Sequence, residues 1–326
     1  MKNRFSAKDG IVGFLIGFLG YFFVQFIAVI FIAIITKGEA DSNSYSVTLI
    51  LSVCLELGFL TGLIFIGKGK NKFSCLRLDK KINPKLLVLS VLIIFITFLS
   101  FIQMNNLIGH FLSKIGYNTS LGPSPKLDTL GDLIVSIITM SLVPAICEEV
   151  LFRGIVYNGL SQKGKTFAII ISSALFMMIH MNLNQSIYPL VLGIIFASVL
   201  CVTDNLWYTI ISHFFNNTTV LIIGFIFKNQ ESAVQDFSSW QSIVLPFVIL
   251  IITGIIDFFA IKYLKKCAEK TKDNKNDVLQ SEDNTITPQT QKIKIMEEKS
   301  FKLYFIMTCV IMIFAYIISV ISGFSK

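Results

Sequence analysis

Apolar stretches of about twenty residues follow one another along most of the chain, and they constrain its fold more than any other feature. The interior of a bilayer offers no water to backbone N–H and C=O groups, and a helix satisfies those groups internally. The sequence therefore predicts an all-α fold, a polytopic membrane helix bundle with about eight to nine transmembrane helices. The predicted spans are 11–36, 46–66, 86–108, 131–160, 166–181, 187–203, 205–227, 241–263 and 303–322.

The charged residues are few and unevenly distributed. Only 15% of the 326 residues are charged, against about 25% in soluble domains. The net charge of +8 is compatible with nucleic-acid binding, but most basic residues lie in short segments beside apolar runs, which is typical of cytoplasmic loops. We therefore expect an integral protein of the cell (plasma) membrane, in contact with the lipid bilayer, with a cytoplasmic N-terminus and no nucleic-acid partner. The basic segments are 2–8, 68–85, 153–165 and 265–275.

Changes in composition suggest four regions. Residues 1–128 would hold the N-terminal transmembrane helices, and residues 129–264 a transmembrane core with the polar groups described below. Residues 265–302 are charged, polar and poor in aromatic residues, which predicts a disordered linker. Residues 303–326 would form a last transmembrane helix.

Three charged residues lie close together inside the fourth predicted span: Glu148, Glu149 and Arg153. On insertion scales each charge costs about 2.5–3.5 kcal/mol at the centre of a membrane helix, so such residues usually have a function. Glu149 and Arg153 are four residues apart and would neutralise each other on one helix face. Glu148 lies about 100° around the helix, without that partner, and is the better candidate for chemistry.

Polar residues also occur in two other predicted spans. His180 ends the fifth, His213 lies within the seventh, and Asn217, or its neighbour Asn216, could share a helix face with His213. Each of these polar residues alone would be interpreted as a partner in an interhelical hydrogen bond, and Glu149 with Arg153 as a structural ion pair. Together they suggest one convergent site. One difficulty is that His180 lies near the outer end of its span and His213 in the inner half of its own.

Two kinds of chemistry fit these residues. A carboxylate and a histidine can remove a proton from water, and a second histidine and an amide can donate hydrogen bonds to an oxyanion. That combination hydrolyses peptides without a covalent nucleophile. Glu148, His180 and His213 could instead hold zinc at a hydrolytic site, although the H-E-x-x-H signature is absent.

These residues resemble the CPBP family of intramembrane endopeptidases, which includes the Rce1-type CAAX prenyl proteases and bacterial homologues linked to bacteriocin processing, immunity and abortive infection. The resemblance covers about residues 130–220 and rests on three motifs in the family's order. The motifs are E-E-x-x-x-R at Glu148, Glu149 and Arg153, F-x-x-x-H at Phe176 and His180, and H-x-x-x-N at His213 and Asn217.

The resemblance implies a role for each residue. Glu148 and His180 would activate the water, His213 and Asn217 would form the oxyanion site, and the ion pair of the first motif would shape it. It also implies a glutamate-type mechanism with no cofactor, because a nearby guanidinium would disfavour a dication; zinc is the alternative. The substrate would be a membrane-associated protein or peptide.

Two other classes of function also fit these residues. Intramembrane Glu and His also form proton relays, so an ion-coupled transporter is one alternative, although the sequence has no repeated halves. A non-catalytic membrane scaffold or immunity protein that keeps the fold is the other.

Overall fold

The computed structural model describes residues 4–38, 45–119, 126–228, 237, 239–273 and 288–324. Within these ranges the regular structure is entirely helical, so the predicted all-α fold is confirmed. The helices are α1 (Ala7–Ile35), α2 (Tyr45–Phe59), α3 (Thr61–Phe65), α4 (Lys72–Cys75), α5 (Pro84–Lys114), α6 (Leu130–Ser136), α7 (Val143–Glu149), α8 (Asn158–Leu160), α9 (Lys165–Met178), α10 (Ile187–Thr203), α11 (Trp207–Ile226), α12 (Trp240–Asp273) and α13 (Pro288–Phe324).

Seven of the described helical segments are long and apolar enough to cross a membrane, and α9 and α10 are shorter apolar helices. The seven long segments are approximately consistent with the predicted eight to nine spans, and the two shorter helices lie where spans five and six were predicted. The 14 residues of α9 extend for about 21 Å at about 1.5 Å per residue, which is less than the roughly 30 Å thickness of a bilayer core. The C-terminal end of α9 therefore stops short of a full crossing.

The basic segments lie at one end of the bundle. Near the start of α1, Asp9 pairs with Lys70 at 2.9 Å, which ties the N-terminus to the basic segment 68–85. Arg77 of the same segment pairs with Asp204, between α10 and α11, at 2.7 Å. The start of α1, the segment 68–85 and the connection between α10 and α11 therefore lie together at one end of the bundle, here called the basic end.

Residues Leu130–Leu160 form one continuous helix, here called the central helix. Two π-helical stretches, Ile137–Leu142 and Val150–Tyr157, flank the short α7 within it. Pro144 in the first turn of α7 has no N–H to donate, so the regular hydrogen-bond pattern is interrupted there. The π-helical stretch Ile137–Leu142 lies directly before this proline, and such stretches are frequent at functional sites.

Glycines let α1 pack closely on the central helix. A Cβ atom on Gly13 would lie 2.7 Å from Cγ2 of Ile155, and one on Gly10 would lie 3.2 Å from Cα of Gly159. Small residues at such contacts are typical of membrane helix pairs, whose association depends on close packing. The second π-helical stretch is buried throughout, so the residues beside the charged pair are enclosed on all sides.

The predicted linker at 265–302 is shorter in the structure. Helix α12 continues to Asp273 and α13 begins at Pro288, so both flanks of the segment are helical, and residues 274–287 lie outside the described residues. Lys, Glu and Ala in these flanks are good helix formers and extend the neighbouring apolar helices. A polar composition alone therefore placed the helix ends too early.

Candidate active site

An ion pair lies at the centre of the site. Nη1 of Arg153 donates to Oε1 of Glu149 at 2.8 Å, and both side chains are fully buried. The guanidinium carbon lies 4.4 Å from the ring centre of Phe176 and 5.0 Å from that of Phe196. The predicted Glu149–Arg153 pair is therefore present, and two aromatic rings contact its cationic member.

His213 is held by the same carboxylate. Its Nδ1 lies 3.0 Å from Oε1 of Glu149, and its ring stacks on Phe196 with 5.0 Å between ring centres. Because the carboxylate beside Arg153 is an acceptor, Nδ1 carries a proton and donates it to this hydrogen bond. Nε2 is then the atom that can bind or release a second proton, and it lies 3.7 Å from Oε2 of Glu148.

Glu148 has a different environment from its neighbour. It is 8% exposed and lines a cavity, whereas Glu149 is fully enclosed. Within the described part of the chain, neither carboxylate oxygen of Glu148 makes a hydrogen bond that fixes it. This difference agrees with the sequence argument that Glu148 is the carboxylate available for chemistry.

His180 reaches the site because α9 is short. The helix ends at Met178, two residues before His180. Nδ1 of His180 lies 2.9 Å from the carbonyl oxygen of Phe176, and since a carbonyl can only accept, Nδ1 carries the proton of this hydrogen bond; in the neutral ring the lone pair is then on Nε2. The mismatch in depth expected between His180 and His213 disappears, because α9 does not extend across the whole bundle.

Asn217 is oriented by a short hydrogen-bond chain. The hydroxyl of Tyr188 donates to Oδ1 of Asn216 at 2.5 Å, and Nδ2 of Asn216 donates to Oδ1 of Asn217 at 3.0 Å. The carbonyl side of Asn217 is thus occupied, and its NH₂ group is the donor that remains for a ligand.

A cavity of about 390 Å³ joins these groups. Four of the sequence-predicted residues line it, and Glu149 and Arg153 lie behind it without lining it. The structure therefore brings the predicted set together, while the catalytic roles of its members remain predictions. The lining residues are Phe98, Phe101, Ile102, Asn105, Glu148, Phe176, His180, Asn184, Gln185, Tyr188, Pro189, Leu192, His213, Asn216, Asn217 and Val220.

The zinc alternative required Glu148, His180 and His213 to form one ligand set. Among the residues that the structure describes, no group of three or more His, Cys, Asp or Glu side chains is arranged to hold a metal ion. In each histidine Nδ1 is already bonded, to a backbone carbonyl in His180 and to Glu149 in His213, and Nε2 is the nitrogen left for a ligand.

Sequence reasoning missed two contributors. Phe196 on α10 contacts both Arg153 and His213, but an aromatic residue in an apolar helix gives no local signal of such a role. Glu56 on α2 lies close enough to Glu148 for the two carboxylates to interact, and its Oε2 is buried with no hydrogen-bond partner among the described residues. An acidic residue inside an apolar span was the signal that could have identified Glu56.

The fold and the site define a membrane helix bundle with a cavity lined by a carboxylate and two histidines. Comparison with known proteins shows which family this core resembles. Residues 130–219 match the model described as "Type II CAAX prenyl endopeptidase Rce1-like". The match confirms, for this segment, the relationship that the three motifs indicated.

A curated protein from Bacillus subtilis (strain 168) is also similar. It bears the name "Putative membrane peptidase YdiL" and is 31% identical over 124 residues. The match covers 38% of this chain and 48% of the relative, so the chain spans about half the length of that protein. No solved structure shows significant similarity.

Proposed function

We propose that this protein is an intramembrane endopeptidase that hydrolyses a peptide bond of a membrane-associated protein or peptide. The observation that carries the proposal is the convergence of Glu148, His180, His213 and Asn217 on one cavity within a helix bundle. The Rce1-like family match over the same segment supports it.

In the proposed mechanism, Glu148 and Nε2 of His180 bind a water molecule. One of its protons passes to Glu148 while the oxygen attacks the substrate's carbonyl carbon. The resulting oxyanion accepts hydrogen bonds from Nε2–H of His213 and from the NH₂ group of Asn217. Glu148 then returns the proton to the leaving amide nitrogen as the C–N bond breaks.

Donation from Nε2 requires His213 to be an imidazolium, because its Nδ1 proton is already used by Glu149. The charges of Glu148 and Glu149 would then be balanced by the two cations, Arg153 and His213, with Glu56 as a further acid beside this set. Charge balance of this kind lowers the cost of burying ions. The Glu149–Arg153 pair would therefore act as a positioning pair that orients His213 through its Nδ1.

The mechanism needs no cofactor, and we infer that cleavage is metal-independent. We also propose that the basic end of the bundle faces the cytoplasm of a cell whose plasma membrane holds the protein, with the N-terminus on that side. Glu56, a second buried acid beside Glu148, favours one other candidate function, a proton-coupled carrier.

The test uses purified protein reconstituted in vesicles with a library of membrane-tethered peptides. Wild type is compared with Glu148→Ala, and with Glu269→Ala as a control at an acid that is 61% exposed. We expect product pairs, identified by mass spectrometry, from wild type and the control only. Cleavage that survives in Glu148→Ala would contradict the assigned role, and proton flux without any cleavage would favour the carrier.

A further inference from the structure

The segment that carries His180 has no regular secondary structure of its own. Helix α9 ends at Met178 and α10 begins at Ile187. Residues 181–186, here called the histidine loop, therefore follow His180 outside both helices, and two of their side chains line the cavity. The position of His180 in the cavity depends on what holds this loop.

The first residue of the histidine loop has an unfavourable backbone conformation. Met181 has a φ of 48°, in the left-handed region that residues with a Cβ atom rarely adopt. Such a conformation persists where surrounding contacts fix it. Because Met181 redirects the chain directly after His180, contacts that hold Met181 also hold the histidine.

Helix α13 supplies two contacts to the histidine loop. The hydroxyl of Ser319 donates to the backbone carbonyl of Met181. The hydroxyl of Ser186 donates to the carbonyl oxygen of Asn182 at 2.8 Å, so the hydroxyl of Tyr316 is the donor in its hydrogen bond with Ser186. Both ends of the loop are thus bonded to the same helix.

A third contact reaches the loop through Tyr117, which follows α5. Its hydroxyl accepts a hydrogen bond from the backbone N–H of Leu183 at 3.0 Å. Its ring packs on α13, where a Cβ atom on Gly323 would lie 2.2 Å from Cε2 of the ring. Gly323 lies four residues after Ser319, on the same face of α13, so this face holds the loop both directly and through Tyr117.

Helix α13 reaches the loop because it is much longer than α9. The two helices have 37 and 14 residues, and extend for about 55 Å and about 21 Å. Near the start of α9, Lys163 pairs with Glu298. The ring centres of Phe167 and Phe305 lie 5.7 Å apart, so α13 runs beside α9 and continues past its end. It lies outside residues 130–219, which match the family.

We propose that α13 positions His180 for catalysis, with Tyr316 and Ser319 as the positioning residues that hold the histidine loop. The proposal rests on the endopeptidase function and assigns α13 a part in the same site. Without these hydroxyls, Met181 would relax and Nε2 of His180 would move relative to Glu148. A shift of about 1 Å in a catalytic group can cost about a hundredfold in rate, so kcat should respond more than KM.

The kinetic test removes hydroxyl groups and leaves the rest of each side chain in place. Tyr316→Phe combined with Ser319→Ala should lower kcat by about tenfold with little change in KM, whereas Ser319→Thr, which keeps a hydroxyl, should retain kcat. The controls are the same two changes elsewhere on α13, Tyr304→Phe and Ser300→Ala, the latter at a hydroxyl that donates within the helix. Unchanged kcat in the double variant, or an equal loss in the controls, would overturn the proposal.

A spectroscopic measurement tests positioning without depending on cleavage. The chain has three histidines, so imidazole nitrogen signals of histidine-labelled protein can be assigned by single substitutions. The double variant should shift or broaden the NMR signals of His180 and leave those of His110 and His213 in place. No change at His180, or equal changes at all three histidines, would overturn the proposal.

The role of α13 and the endopeptidase function can fail separately. If wild type cleaves no library peptide but the His180 signals respond in the double variant, α13 holds the loop and the protease function is rejected. If wild type cleaves but neither kcat nor the His180 signals respond, the role of α13 alone is rejected. Absence of cleavage together with unchanged signals would overturn both.

Discussion

Replacing Glu149 with Gln should destabilise the protein, although the change is nearly isosteric. Oε1 of Glu149 accepts from Arg153 at 2.8 Å and from His213 at 3.0 Å. Arg153 is fully buried, so the substitution leaves a cation without its counter-ion between two aromatic rings. Breaking a buried pair in this way costs about 3–5 kcal/mol.

The size of the effect can be measured by thermal unfolding in detergent micelles. At about 2 °C per kcal/mol for a large domain, the melting temperature should fall by roughly 6–10 °C. Glu148→Gln is the matched control, because it is the same substitution one residue earlier, at a side chain that no hydrogen bond holds among the described residues. Its melting temperature should stay within about 2 °C of wild type.

A double mutant tests whether Glu149 and Arg153 act as a pair. Arg153→Leu alone leaves Glu149 uncompensated, but Glu149→Gln combined with Arg153→Leu removes both charges, so the two losses should be far from additive. Additive losses would refute the buried-pair interpretation. Equal destabilisation by Glu148→Gln and Glu149→Gln would refute the division of roles between the two carboxylates.

Three further predictions concern chemistry and packing. Glu148→Gln should lower cleavage by at least about a hundredfold, as expected for loss of a general base, and a peptide-cleavage time course checks this. Phe176→Leu should lower kcat with little change in KM, because its ring packs edge-on against His180 and His213, at 5.1 and 6.0 Å between ring centres; unchanged kinetics would argue against it. Gly62→Ala should lower the melting temperature, because the new Cβ would lie 2.2 Å from the backbone oxygen of Gly13. Gly254→Ala is the control and should leave the melting temperature unchanged, because the new Cβ would have no atom within 4 Å. Equal effects of the two substitutions would contradict the packing interpretation.

Much of the architecture follows from the sequence. Long apolar runs predict helices because backbone polar groups need internal partners in lipid, and the structure has helices at each predicted span. The four-residue spacing of Glu149 and Arg153 predicted their contact for the same geometric reason. The cavity also includes the histidines that the motifs indicated.

Other features depend on tertiary contacts and have no local signal. Phe196 becomes part of the site only because α10 packs against the central helix. The early end of α9, which brings His180 to the site, was hidden because apolar residues continue past Met178.

The most direct test of the proposed function is cleavage of a membrane-tethered peptide by purified wild type and Glu148→Gln, each with and without a metal chelator. The proposed mechanism predicts product from wild type at the same rate in both conditions, and none from the variant. Cleavage that the chelator abolishes and zinc restores, or cleavage that persists in Glu148→Gln, would contradict it.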